Sequence, residues 1–347
     1  MKLTYKKIII TGGRGFIGSN FIDSIKNYDT QILNLDNLSY AARNEKIQKF
    51  NSRSNYNFLK IDINNKKKLS EVFSFFEPDL IINFAAETHV DRSIENPEIF
   101  LKTNILGVSN LLQVSLKYWK SKKKKKFLFV QISTDEVFGS LNFREDSKKE
   151  TDAFDPSSPY SSSKASADLL VRSWYKTYGL PCITIYPTNN FGPWQYPEKF
   201  IPLMILKTIL KKKLTVYGNG SNVREWIYVK DCVDGIVSVI LRGKLGQSYN
   251  IGSGEQVRNL EVAKMIIEKI NGKNENYLKN IEFVSDRPAH DLRYNLNSSK
   301  IQVQTNWKPK HSFKEALFLT IEWYLENLKW LKAHSKSYGV QKRIGRL

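Results

Sequence analysis

The sequence predicts an α/β fold: a doubly wound parallel sheet of the Rossmann kind, joined to a smaller mixed α/β lobe. Three observations predict it. Short apolar runs alternate with longer amphipathic segments through the first half of the chain, the pattern of parallel strands linked by right-handed helical crossovers. A glycine-rich turn, "TGGRGFIGSN", separates the first such run from the first amphipathic segment. The alternation then stops at 193–202, a stretch rich in Pro and aromatics, beyond which the pattern is mixed.

Taken in order, "KKIIITG" predicts a strand followed by a helix over 16–28, and "QILNLDN" a strand before a helix over 44–50. "YNFLKIDI" precedes a helix over 69–76, and "DLIINFAAE" one over 99–118. "KFLFVQI" precedes a helix over 161–178, after which "CITIYPTNN" supplies another strand. Continuous apolar runs of this kind suit strands covered on both faces. Residues 1–186 are therefore expected to form the nucleotide-binding domain, with later segments near 225–252, "EWIYVKD" and "QSYNIG", returning to it. Residues 187–332 are expected to be mainly the substrate-binding lobe, and 333–347 a basic tail.

Bulk properties narrow the class. The chain has 347 residues and a net charge of +20, but its lysines are dispersed apart from one run at 122–126. That run falls between a helix and a strand, where like charges stay solvated. Dispersed positive charge suits an anionic small molecule, and no specific nucleic acid is expected. Cys182 and Cys232 are the only cysteines, which makes neither a disulfide framework nor a metal site and points to a reducing cytoplasm. The four histidines form no cluster in sequence, so no metal is expected. The first apolar run is too short for a signal sequence and ends in glycines. No stretch approaches the roughly 18 apolar residues that cross a bilayer, and no membrane partner is expected.

Gly12, Gly15 and Gly18 are spaced G-x-x-G-x-x-G in the turn. Such glycines permit a tight bend and let a pyrophosphate approach backbone N–H groups at the helix start, here Phe16 and Ile17. The second strand ends in Asp36, eighteen positions after Gly18. A carboxylate there accepts from both ribose hydroxyls and repels a 2′-phosphate, which favours NAD over NADP. Asn37, Leu38 and Ser39 follow it, and Asp62 and Ile63 after the third strand would flank the adenine.

"YSSSK" places Tyr160 and Lys164 four residues apart, one turn along a helix and on one face. An ammonium beside a phenol favours phenolate, so Tyr160 could take a proton from an alcohol while Lys164 also holds a nicotinamide ribose. The strand "KFLFVQI" runs into "STDEVFG", which sets Thr134, Asp135 and Glu136 at its end. Charges near a core are costly unless they are paired or face a cleft. Thr134 would bond the same alcohol as Tyr160.

With these residues in view, the chain closely resembles the extended short-chain dehydrogenase/reductase family. Within it, the resemblance is to the nucleotide-sugar 4,6-dehydratases, above all the group acting on dTDP-glucose. It runs from about residue 7 to 325 and rests on "TGGRGFIGSN", "FAAETHVDRSI", "STDEVFG", "YSSSK", "NNFGPWQYPEKFIP", "VYGNGSNVREWIYVKD", "YNIGSG" and "DRPAHD". The Asp-Glu pair is the discriminating feature, because relatives that epimerise or decarboxylate nucleotide sugars usually lack it.

The resemblance implies oxidation at the hexose C4 with NAD as hydride acceptor and Tyr160 as base. Water is then lost across C5 and C6, with Glu136 as base and Asp135 as acid, and hydride returns to C6. It further implies that Phe84, Ala85, Ala86, Thr103 and Asn190 line the cofactor. Thr88, Thr134 and Asn189 would meet the sugar, while Lys199, Phe200, Thr215, Val216 and Tyr217 hold the nucleotide. Arg224 and Asn259 would contact the diphosphate, with Asp286, Arg287 and His290 closing over it. Departures from the family pattern are Phe138 and Phe191 in place of Tyr, Thr215 in place of Pro, and Ala289 in place of Gly. The last two bear on nucleobase preference. A UDP- or CDP-hexose 4,6-dehydratase, a 4-epimerase, or a catalytically inactive NAD-bound nucleic-acid-binding protein are the alternatives. A homodimer paired through 99–118 and 161–178 is the implied assembly.

Overall fold

The computed structural model describes residues 4–42, 50, 53–123, 126–273 and 276–335. Its main sheet has seven strands, all parallel, in the order β10-β6-β5-β4-β1-β2-β3. These are β1 (Lys7–Thr11), β2 (Gln31–Asp36), β3 (Tyr56–Lys60), β4 (Leu80–Asn83), β5 (Leu128–Ile132), β6 (Cys182–Pro187) and β10 (Ser248–Ile251). The apolar runs end up here because both sheet faces are covered. Ile8 and Ile10 pack on one side with Phe21, Val233 and Ile236, while Ile9 packs on the other with Leu111, Leu112 and Val171.

Helices Phe16–Ser24 and Val229–Arg242 cover the first face. Helices Lys66–Phe76, Pro97–Lys122 and Pro159–Tyr178 cover the second. Of the segment 225–252, the helix and β10 pack with the main sheet, whereas β9 (Val223–Tyr228) pairs with β7 (Asn189–Phe191) and β11 (Gln256–Arg258) in a separate three-stranded sheet. The expected helix over 44–50 lies outside the described residues except for Phe50, as do Lys124 and Lys125 and residues 336–347 of the basic tail.

Helix Pro97–Lys122 is long and apolar enough to cross a membrane by length and composition alone, but Lys102, Asn104, Asn110 and Gln113 interrupt it, and it holds no unbroken apolar run of bilayer length. Its inner side is core: Leu111, Leu112, Val114 and Tyr118 are buried against the sheet. Residues 101–107 within it form a π-helical stretch.

The lobe has its own core, built by helices Phe200–Ile209, Asn259–Asn271 and Phe313–Glu326 around β9 and the two-stranded pair of β8 (Leu214–Tyr217) and β12 (Ile281–Val284). Order along the main sheet reverses between β1 and β4, so a crevice opens at their C-terminal ends. Polar side chains mark that edge: Thr11 donates to Asn83 Oδ1 (2.5 Å) and Asn83 Nδ2 donates to Gln131 Oε1 (2.9 Å), tying β1, β4 and β5 together.

Candidate active site

Two cavities, of about 280 and 310 Å³, meet at the crevice and share Thr88, Glu136, Asn189, Asn190, Gln195, Glu198 and Lys199 in their walls. The first runs over the glycine turn. Gly12 has φ +69°, and a Cβ on it would sit 2.5 Å from the Ala85 nitrogen. A Cβ on Gly18 would come within 2.6 Å of the Gly12 carbonyl oxygen. Only glycine therefore lets the turn, the helix and the end of β4 approach this closely. Gly15 is the N-cap of helix Phe16–Ser24 and has no side chain to cap it. The first-turn N–H groups, left without a side-chain acceptor, face the cavity as an anion cradle.

Asp36 ends β2 and is buried. Its carboxylate accepts from the backbone N–H of Arg14 (2.9 Å) and of Leu38 (2.8 Å). Burial raises its pKa, and these two bonds hold it down. Gly12, Gly15, Phe16, Ile17, Gly18, Asp36, Asn37, Ser39, Ile63, Phe84, Ala85, Ala86, Thr103 and Asn190 all line this cavity. Leu38 and Asp62 stand behind its wall. Leu38 contributes only its backbone to Asp36, and Asp62 accepts from Asn64 (2.8 Å) and Asn37 (3.4 Å) and so supports the lining. The cradle, the carboxylate and the apolar walls fit a dinucleotide.

The chemistry-bearing group sits where the cavities join. β5 is buried throughout, and after Thr134 the chain turns into one 3-10 turn, Asp135–Phe138, seated on Val137 and Phe138. Thr134 Oγ1 donates to Asp135 Oδ1 (3.1 Å), accepts from the Glu136 N–H (3.3 Å) and reaches the Tyr160 phenol. Tyr160 and Lys164 lie on helix Pro159–Tyr178, whose start is fixed by a reciprocal Ser158–Ser161 capping box. Lys164 Nζ donates to the Ile132 carbonyl (2.6 Å) at the end of β5.

The two carboxylates differ in surroundings. Asp135 is buried, and its pKa is pushed well above the usual carboxylate range by desolvation, then by Glu136 and Glu225. Glu136 is half-buried and also raised by desolvation, but Arg287, Arg224 and Lys199 favour its charged form. Asp135 is thus the better proton holder and Glu136 the better base. Tyr160 departs from the sequence expectation. Burial, then Glu136, then Asp135 raise its pKa well above the ordinary phenol value, against the bond from Thr134. In the free chain it is a neutral phenol.

The second cavity carries Thr88, Asn189, Lys199, Phe200, Thr215, Val216, Tyr217, Arg224, Asn259, Arg287 and His290 in its walls. Lys199 donates to the Thr88 carbonyl (2.7 Å). Arg224 is spent largely on the backbone, donating to the carbonyls of Val223 (2.8 Å) and Asp291 (2.9 Å), and lies over the Tyr294 ring. Arg287 bonds Asp91 (3.0 Å), and its Nε is buried with no partner among the described residues. The side-chain oxygens of Asn189, Asn190 and Asn259 are buried in the same state. Asp286 does not line the cavity; it braces His290 through its carboxylate and accepts from the Arg287 N–H (2.8 Å).

Sequence reasoning missed several wall residues. Glu198, with a nearly buried side chain, accepts from Tyr40 (2.7 Å) and pairs with Arg92 (3.2 Å). Asp91 bridges Arg287 and Tyr217 (2.9 Å), and Tyr294 donates to Asp291. Glu198 and Asp91 lie inside motifs already quoted, "PEKFIP" and "FAAETHVDRSI", which was their available signal. His89, isolated in sequence, caps helix Val90–Glu95 by accepting from the Arg92 N–H (3.4 Å).

A doubly wound sheet with a glycine-turn cradle, a Tyr-x-x-x-Lys helix and a second cavity rich in cations defines a dinucleotide-dependent enzyme of the extended short-chain dehydrogenase/reductase class. The carboxylate pair at the junction narrows that class to dehydratases, and comparison with known proteins agrees. The sequence model of GDP-mannose 4,6 dehydratase matches residues 9–319, and the chain belongs to that family. It is 42% identical over 340 residues to the dTDP-glucose 4,6-dehydratase of Salmonella typhimurium, covering 94% of each chain. A solved dTDP-glucose 4,6-dehydratase of Bacillus anthracis, in complex with NAD, is 40% identical with a TM-score of 0.85, covering 95% of this chain and 99% of that one. The dTDP-glucose 4,6-dehydratase DesIV of Streptomyces venezuelae, also solved with NAD bound, is 34% identical with a TM-score of 0.88 over 94% and 99%.

Proposed function

We infer that the chain is an NAD-dependent hydro-lyase that converts dTDP-glucose to dTDP-4-keto-6-deoxyglucose and water. The observation that carries this reading is the Asp135–Glu136 pair, one carboxyl buried and raised, the other facing cations, at the junction of the two cavities. Its relatives at this level of identity act on dTDP-glucose.

The cofactor is NAD, held by the Gly12–Gly15–Gly18 turn, Asp36, Thr103, Tyr160, Lys164 and Asn190. When bound, it supplies the hydride acceptor for C4, the donor for C6 and a positive charge beside the phenol. Tyr160 takes the proton of the 4-hydroxyl, with Thr134 bonded to the same oxygen. The ketone at C4 acidifies the C5 hydrogen, which Glu136 removes. Asp135 protonates the departing 6-hydroxyl, so that the bond to oxygen breaks as water, and Glu136 returns its proton to C5 once C6 is reduced. Arg287 and Arg224 hold the diphosphate side, and Thr215, Val216 and Tyr217 bound the nucleobase end.

The chain pairs with a second copy through helices Pro97–Lys122 and Pro159–Tyr178, a reading supported by the exposed Ile99, Leu101, Leu106 and Leu169 on them. It acts in the cytoplasm, in keeping with two free cysteines buried in apolar surroundings. Nothing in the pattern of dispersed charge calls for nucleic acid.

Separate incubation with dTDP-glucose, UDP-glucose and CDP-glucose tests the reading, the 4-keto-6-deoxy product being followed by its absorbance in base. Preference for dTDP-glucose is expected. Turnover of UDP- or CDP-glucose instead would move the assignment to another nucleotide sugar, and failure with all three would overturn it.

A further inference from the structure

We propose that Asp168 is a positioning residue of this site: it is the buried counter-ion of Lys164 and the anchor of Ser133. The inference rests on the dehydratase reading for its kinetic consequence, but its structural half stands on the helix alone. Lys164 and Asp168 are four residues apart on helix Pro159–Tyr178, one turn above the other on the inward face, and both are buried. Asp168 Oδ2 accepts from Ser133 Oγ, the residue that opens the Ser133-Thr134-Asp135-Glu136 run. Lys164 Nζ donates to Ile132, one residue earlier. The helix is thus stapled to the end of β5 at two successive residues, directly before the group that performs the chemistry.

The second oxygen, Asp168 Oδ1, is buried and has no hydrogen-bond partner among the described residues. No direct ion-pair contact joins this oxygen to Lys164 Nζ among the described residues; the carboxyl acts on the ammonium through its field, from one turn away on the same buried helix face. Other titratable or charged groups around the pair are Tyr160 and Arg172 on the same helix, Asp135 and Glu136 after β5, and Tyr186 on β6. Of these charges, Asp168 is the one that acts to keep Lys164 protonated, against a burial that favours the neutral amine. Burial likewise raises Asp168, and Lys164 with Ser133 holds it down. The two titrate as a unit. Asp168 also opposes ionisation of Tyr160, as the weakest of the three carboxylates that do so.

The consequence is directional. Without Asp168 the Lys164 amine loses its proton at lower pH, and the positive charge needed beside Tyr160 disappears within the working range. The test compares pH profiles of kcat/KM for the full chain with NAD and dTDP-glucose in the parent, Asp168→Asn and Asp168→Glu. The basic limb is expected to move down by at least one pH unit in Asp168→Asn and to return most of the way in Asp168→Glu. A basic limb that stays in place in a folded Asp168→Asn protein overturns the proposal, however much activity is lost.

A substrate-free arm keeps the two readings apart. Melting temperatures are measured at neutral pH for Asp168→Asn, Lys164→Met and the double variant. A counter-ion pair makes Lys164→Met cost fewer degrees in the Asp168→Asn background than in the parent. Additive losses would overturn the pairing even if the enzyme dehydrates dTDP-glucose, while non-additivity would uphold it even if dTDP-glucose is not turned over.

Discussion

Replacing Asp135 by Asn separates elimination from oxidation. The amide matches the carboxyl in shape and keeps the oxygen that accepts from Thr134 Oγ1 at 3.1 Å, so the 3-10 turn and its footing on Val137 and Phe138 are preserved. What is lost is a transferable proton. General acid–base catalysis contributes about 10²- to 10⁴-fold, so the barrier to losing the 6-hydroxyl should rise by about 3–5 kcal/mol. The C4 oxidation uses Tyr160 and Thr134 and should change by less than about fivefold, the size of one neutral hydrogen bond. In single-turnover stopped-flow with NAD, reduced cofactor should then accumulate and decay slowly, where the parent shows little. Glu136→Gln should give the same accumulation by blocking removal of the C5 hydrogen. If both variants eliminate water at the parental rate, the division of labour between the carboxyls is wrong.

The same substitution has a stability signature with a fixed sign. The folded-state pKa of Asp135 is raised well above the unfolded value, chiefly by desolvation. Its protonated form is favoured on folding, so its contribution is intact below the unfolded carboxyl pKa and is lost as pH rises through the folded one. Asn carries no such loss. The melting temperature of Asp135→Asn should therefore gain on the parent as pH rises above the ordinary carboxylate range, and a gap that is flat with pH would place the carboxyl in a wet environment.

Three further substitutions probe other parts. Tyr160→Phe should suppress the first hydride transfer by at least about a hundredfold, so that no reduced NAD appears in the same single-turnover trace. Asp36→Asn should weaken NAD about tenfold, the scale of one charge-assisted hydrogen bond, and lessen discrimination against NADP, both read by fluorescence titration. Asp91→Asn leaves Arg287 and Tyr217 without their anionic partner, and KM should rise about 10- to 100-fold with kcat within a few-fold; a fall in kcat alone would place Asp91 in the chemistry.

The main sheet was readable because its strands, the edge strand β3 excepted, are buried on both faces, so local pattern and global position agree. β9 was not. "EWIYVKD" is as apolar as a strand of the main sheet and every residue of Val223–Tyr228 is buried. Nothing local reveals that its pairing partners are β7 and β11, because pairing is set by where the lobe's helices bring the chain. Helix Pro97–Lys122 shows the same limit from the other side: its apolar composition is divided between a side packed on the sheet through Leu111 and Leu112 and an exposed side carrying Ile99, Leu101 and Leu106, a division the sequence does not reveal.

At the site, residue identity was legible and environment was not. Asp135 and Glu136 are adjacent in the sequence and look interchangeable there. They differ because residues about 60 to 150 positions away act on them unequally: Lys199, Arg224 and Arg287 favour the charge on Glu136, while on Asp135 Glu225 opposes it and Arg224 is the one cation that favours it. Tyr160 shows the cost of reading a motif without its surroundings. The Tyr-x-x-x-Lys spacing puts both side chains on one helix face, yet burial and three carboxylates, Glu136, Asp135 and Asp168, raise the phenol in the free chain. Positive charge brought into the cleft by the cofactor would favour its ionisation. Lys164 itself stays charged in a buried place only beside an anion, and Asp168, one turn further along the same helix, is the residue positioned to provide it.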